Sequence, residues 1–235
     1  MISIIIPVFN EVDTIAPLLR YLSENSTAPA LSEILVVDGG SSDDTQKTVT
    51  EFSNTVSTNI ELIHSKKGRA IQMNEGARRA QGRILYFLHA DSFPPKGFVA
   101  TLITAVEKGN TAGCFRMKFD SNHLLLRCSQ WFTRFNVKIC RGGDQSLFIT
   151  KDLFDRLQGF DENYIVFEDC EFINRLYDLG QFTVLPQYVI TSSRKYKKIG
   201  TWTLQYHFAV IHIKYWLGVR YEGLHEYYQK HIVKT

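Results

Sequence analysis

Five polar side chains, Asn10, Glu11, Asp38, His89 and Asp91, each stand where an apolar run of the chain gives out. Those runs are residues 2–8, 34–37 and 84–88. If they are neighbouring parallel strands, all five side chains gather at the carboxyl ends, where open α/β sheets hold their ligands. Two of them also have plainer readings. Asp38 followed by Gly39 and Gly40 makes a good turn, and so does Asp91 ahead of Pro94 and Pro95. A further acidic feature, Glu168-Asp169, opens a helical pattern. Carboxylates in a first turn favour the helix dipole, and such a pair can also serve acid–base chemistry. Gly142-Gly143-Asp144 breaks the chain ahead of the apolar run 146–149.

These residues need a scaffold, and the hydrophobic pattern predicts one. The isoleucine-rich run 2–8 reads as a strand buried on both faces. Residues 12–23 then carry Ile15, Leu18, Leu19 and Leu22 at helical spacing. Further strands are expected over 34–37, 60–64 and 84–88. Between them lie a helix capped by Ser42 or Asp43 and running through Phe52, and another over 69–81 stopped by Gly82. Strands alternating with helices argue for a doubly wound, mostly parallel sheet. After Asp91 the pattern changes: a helix over 96–107, a strand over 112–119, an amphipathic segment 123–141, a strand over 146–149 and a helix over 167–179 closed by Gly180. A strand over 189–193 leads to Arg194, and an aromatic, helical tail begins at Thr201.

The totals are those of an ordinary globular chain. Its 235 residues are 44% hydrophobic and 22% charged, enough to bury one substantial core. A net charge of +3 does not call for nucleic acid. Four cysteines, Cys114, Cys128, Cys140 and Cys170, form no CxxC pair and show no zinc spacing with histidine, so reduced thiols in or near the core are expected. The start MISIIIPVF carries no basic leader region, and the apolar stretch near 204–219 is broken by His207, His212 and Lys214. A cytoplasmic location is expected.

Taken in order, Ile4-Ile5-Ile6-Pro7-Val8-Phe9-Asn10-Glu11, Val36-Val37-Asp38-Gly39-Gly40-Ser41-Ser42-Asp43-Asp44-Thr45, Gly68-Arg69-Ala70 with Asn74 and Gly76-Ala77, His89-Ala90-Asp91, Gly142-Gly143-Asp144-Gln145 and Glu168-Asp169 resemble the family 2 glycosyltransferases of the GT-A fold. The likeness covers about residues 2–194 and is nearest to a small, single-domain bacterial type. It implies one GT-A domain: a mixed, mostly parallel Rossmann-like sheet flanked by helices. Residues 1–91 would form the nucleotide-binding half, 92–200 the acceptor-binding half and 201–235 a helical tail.

The resemblance implies an inverting transfer of a sugar from a UDP- or GDP-linked donor to an unidentified acceptor. Pro7, Asn10, Glu11, Asp38, Arg69, His89, Gly143, Asp144 and Arg194 would surround the nucleotide sugar, with Asp38 reading the base. Asp91 would hold Mg²⁺ or Mn²⁺, hard cations suited to carboxylate and diphosphate oxygens. Asp169 would be the base, with Glu168 second. Two departures stand out: Gly39 replaces a second aspartate, and His89 replaces the first aspartate of an Asp-x-Asp motif. His89 would then touch ribose or a softer ion, and Arg194 would make up charge lost there. Residues 196–200 are a candidate mobile loop over the donor. A nucleotidyltransferase and a non-catalytic nucleotide-sugar binder are the alternatives. The first usually opens with a glycine-rich loop that this chain lacks, and the second is at odds with intact Asp91 and Asp169. Segments 123–141 and 202–228 are rich in Trp, Tyr, Phe, Lys and Arg, a mix that suits core packing, a peripheral membrane contact or a homodimer.

Overall fold

The computed structural model describes residues 1–26, 30–142 and 145–233. Its sheet has eight strands: β1 (Ile2–Val8), β2 (Leu31–Asp38), β3 (Ile60–His64), β4 (Ile84–Phe87), β5 (Ser92–Phe93), β6 (Ala112–Phe119), β7 (Leu147–Thr150) and β8 (Thr183–Thr191). The helices are α1 (Val12–Asn25), α2 (Thr45–Ser53), α3 (Arg69–Arg79), α4 (Phe98–Glu107), α5 (Leu124–Phe132), α6 (Lys151–Arg156), α7 (Glu168–Asp178), α8 (Arg194–Ile199), α9 (Thr201–Trp216) and α10 (Tyr221–Tyr228). A π-helical turn over Gln229–Val233 follows the last of these.

The strand order is β3-β2-β1-β4-β7-β6-β8-β5. β1, β2, β3 and β4 run parallel, β7 enters antiparallel between β4 and β6, and β6 pairs parallel with β8. The sheet is thus mixed and mostly parallel, as expected. Alternate residues of β1 feed opposite faces, which is the strand period at work. Ile4 and Ile6 join one core with Val36, Tyr86, Phe115, Phe148 and the tail's Leu204 and Ile211. Ile5 joins the other with Leu35, Val37, Phe87, Met73 of α3 and Phe172 of α7. Each such fully buried isoleucine stabilises the fold by about 1.5–3 kcal/mol.

Local departures from expectation have physical reasons. α3 ends at Arg79, before Gly82, because Gly82 is pressed against β1: a Cβ there would come within 2.5 Å of the Ser3 nitrogen. α2 starts at Thr45, whose N–H is taken by Asp43 at 3.0 Å. α4 starts at Phe98, after Gly97 at φ 72°. The stretch 196–200, expected as a mobile loop, belongs mostly to α8, and Tyr196 is buried edge-on against Phe119. All four cysteines lie outside any disulfide; Cys114 and Cys170 are buried, but Cys128 is exposed on α5, contrary to a near-core place for each.

Candidate active site

The loops after β1 and β2 are laced together by their own side chains. Asn10 takes the left-handed conformation at φ 55°, which asparagine tolerates better than most residues. Its Oδ1 accepts the Ser42 N–H at 2.9 Å, and its own N–H donates to Ser41 Oγ at 2.9 Å. The Glu11 N–H donates to Thr45 Oγ1 at 2.9 Å. Asp43 accepts from Thr45 and from the Val12 N–H, and the Thr45 hydroxyl above all holds its carboxyl below the usual range.

Asp38 is fully buried. Its carboxylate accepts the N–H groups of Gly40 at 2.9 Å and Ser41 at 3.0 Å, and the Gln46 amide at 2.8 Å. The side chain thereby shapes the 39–41 loop from beneath. Beside it, the Gln72 amide of α3 donates to the carbonyls of Val8 at 2.8 Å and Val37 at 2.7 Å, pinning the ends of β1 and β2. A Cβ on Gly39 would stand 3.0 Å from that amide. Glycine at this position therefore leaves room for Gln72, which the sequence alone gave no reason to single out.

The end of β4 meets the start of α7. Arg69 Nη1 lies 3.3 Å from Glu168 Oε1 and 3.7 Å from Asp169 Oδ2, while His89 Nε2 is 3.8 Å from the same Asp169 oxygen. Glu168 is only 2% exposed, whereas Asp169 is 13% exposed and reaches the surface. Asp169, His89, Pro7, Met73 and Gln145 line one cavity. Arg69, expected beside the nucleotide sugar, joins these two carboxylates. The residue before them, Phe167, has φ 73°, a strained value for a bulky side chain and a mark of functional sites. Its ring packs against His212 and Tyr215 of α9.

Arg194, at the start of α8, reaches the residues that follow β1 and β4. Its Nη2 lies 2.5 Å from Glu11 Oε1, and its Nε lies 3.3 Å from Asp91 Oδ2. The hydrogen bond to Glu11, aided by the Glu11 and Asp91 charges, holds this guanidinium even more firmly protonated than usual. Gly143 and Asp144 lie outside the described residues. Beside them, buried Arg141 donates to Gln145 Oε1 at 2.9 Å and to the Thr133 carbonyl at 2.8 Å. Arg141 was missed in sequence because nothing about an arginine beside two glycines marks it as buried.

Among the described residues no three His, Cys, Asp or Glu side chains converge to hold a metal ion alone. The donor chemistry still fits Mg²⁺ or Mn²⁺. Such ions commonly bind through one or two carboxylates plus substrate phosphates, and Asp91 and Glu11 already face one cation, the Arg194 guanidinium.

Polar side chains at the strand ends of a mixed α/β sheet, with acidic residues opening a helix beside them, define a class. The fold is that of the GT-A glycosyltransferases. It resembles the mannosyltransferase PcManGT from Pyrobaculum calidifontis, solved with GDP-Man and Mn²⁺, at a TM-score of 0.70 and 19% identity over 89% of this chain and 61% of that one. It also resembles residues 1–349 of S. aureus TarS in complex with UDP, at a TM-score of 0.67 and 20% identity over 81% of this chain and 60% of that one. Residues 3–162 match the family model described as Glycosyl transferase family 2, and the chain belongs to that family. Its curated relatives include the probable glycosyltransferase YdaM of Bacillus subtilis, 28% identical over 199 residues. That match covers 76% of this chain and 47% of YdaM, so the chain spans about half the relative's length.

Proposed function

We propose that the chain transfers a sugar from a UDP- or GDP-linked donor to an acceptor hydroxyl, with inversion at the anomeric carbon and with Asp169 as the base. The observation that carries this reading is the position of Asp169. It is the reachable carboxylate of its pair, and Arg69 and His89 flank it beside the cavity at the end of β4. The Asp169 carboxylate takes the acceptor proton as the acceptor oxygen attacks the anomeric carbon. The bond from that carbon to the diphosphate oxygen breaks on the opposite face, and its electron pair leaves with the nucleoside diphosphate. Buried Glu168 holds Arg69 in place through their ion pair. Arg194 offers positive charge to the leaving diphosphate beside Asp91 and Glu11. Asp91, with Glu11 near it, would hold a divalent ion, which when bound neutralises the diphosphate. Pro7, Asn10 and the Asp38-shaped loop would receive the nucleoside, with Asp38 reading the base only if it shares its carboxylate with Gly40 and Ser41.

Residues 1–91 then serve the donor, 92–200 the acceptor, and 201–235 brace both. The test is release of nucleoside diphosphate from a panel of UDP- and GDP-sugars with Mn²⁺ or Mg²⁺. Release from one donor that stops in Asp169→Asn supports the reading. Pyrophosphate release would point to nucleotidyl transfer instead, and thermal stabilisation by donors without any turnover would leave a binder.

A further inference from the structure

Helix α9 has two apolar faces. At about 100° per residue, Trp202, Tyr206, Ala209, Ile213, Trp216 and Leu217 fall within about 60° of one line along the helix. All six are exposed, Trp202 at 72% and Leu217 at 78%. Leu204 and Ile211, half a turn away, are buried in the core. A helix apolar all round is normally buried all round, and this one is not. α5 repeats the pattern beside it. Leu124, Arg127, Cys128 and Trp131 face outward, and Leu126 opposite them enters the same core as Leu204. Exposed Phe132 and Phe135 then pack around Trp131, over which Arg134 lies at 4.6 Å. The two helices touch and share one core, so their outer faces lie on one side of the molecule. Contiguous exposed aromatic surface of this kind marks an interaction site.

The charge around it says what covers it. Helices α5, α8 and α9 carry Arg127, Lys195, Lys197, Lys198 and Lys214, besides the ion-paired Arg194, and no acidic residue. Two copies meeting on this face would set like charge against like. An anionic bilayer takes both features: tryptophan and tyrosine settle at the headgroup level, and lysine and arginine meet acidic lipid. No helix of the described residues is long and apolar enough to cross a membrane, so the contact would lie in the interface plane.

We propose that the outer faces of α5 and α9, rimmed by Arg127, Arg134, Lys197 and Lys198, dock this protein on the surface of an anionic lipid bilayer. The site already described lies close by. Arg194 is on α8, which runs through Gly200 into α9, and Phe167, next to Glu168, packs on α9 residues His212 and Tyr215.

The test uses the full chain and vesicles of phosphatidylcholine, alone or mixed with phosphatidylglycerol, with no donor or metal present. It is thus read independently of whether the proposed transfer occurs. The expected result is co-sedimentation about tenfold stronger on the anionic vesicles, weakened by salt, with a blue shift of tryptophan emission. Trp202→Ser with Trp216→Ser and Leu217→Ser should abolish it. Arg127→Gln, Arg134→Gln, Lys197→Gln and Lys198→Gln together should remove the preference for anionic lipid, and both variants should melt like the parent. Equal or negligible sedimentation on the two vesicle types overturns the proposal. So does a stable dimer in light scattering that the Trp202→Ser set dissociates, because the face then belongs to a second copy.

Discussion

Asp169 and Glu168 are neighbours in sequence and differ in almost everything else. A base that takes its proton only as the acceptor attacks contributes chiefly in the transition state. Asp169→Asn keeps the shape but accepts no proton, so transfer should fall about 10²–10⁴-fold while donor binding stays close to normal. Glu168→Gln should instead show mainly in stability. It weakens an ion pair whose arginine is half exposed, a loss of about 1 kcal/mol. Rates and melting curves of both variants separate the two roles; an active Asp169→Asn would leave the motif as a helix start. Arg194 gives a second residue-scale expectation. It holds Glu11 and Asp91 as a built-in cation. Arg194→Ala should weaken metal-free nucleoside diphosphate binding about tenfold and lower the Mn²⁺ concentration needed for half-maximal binding. Calorimetry showing neither change would reduce the contact to a surface ion pair.

At the scale of elements, the site depends on how closely α3 lies on β1 and β2. Gly76 sets that distance: a Cβ there would meet Ile5 Cγ2 at 2.5 Å and Val37 Cγ2 at 3.1 Å. Alanine improves helix propensity by about 1 kcal/mol, yet overpacking a filled core costs about 1–3 kcal/mol. The core should win, so Gly76→Ala should lower the urea midpoint, and a higher midpoint would show that α3 can ride up freely. Much of this layer was legible in the sequence. The apolar runs at 60–64 and 112–119 became β3 and β6 with the same bounds, and the early strand–helix alternation gave the parallel half of the sheet. Less legible was β7, whose antiparallel place between β4 and β6 follows from no local period. Residues 196–200 were misjudged for a related reason. Their charges look solvated, but Tyr196 anchors them to Phe119 from a distant strand. The meeting of Arg69 with Glu168, 99 positions apart, likewise follows from the sheet and from no spacing.

For the molecule as a whole, the tail matters because it braces the strained start of α7. His212 of α9 packs edge-on against Phe167 at 4.7 Å, and burial lowers its pKa. The sign follows from linkage. A histidine depressed in the folded state binds fewer protons there than in the unfolded chain, so stability falls as pH drops through the unfolded value of about 6.5. Above that value His212 is neutral in both states and contributes no pH dependence. Acid acts on other groups of the chain as well, so the prediction concerns a difference. Between neutral pH and the unfolding limit on the acid side, the parent should lose more melting temperature than His212→Leu, which keeps an apolar contact to Phe167 but has no proton to gain. Because Phe167 directly precedes Glu168-Asp169, the acid loss should also appear as faster hydrogen exchange at the start of α7 in the parent, and less so in the variant. If parent and variant lose stability in parallel as pH falls, His212 is not the group that acid charges. The bracing of α7 by the tail would then rest on Tyr215 and the apolar contacts alone.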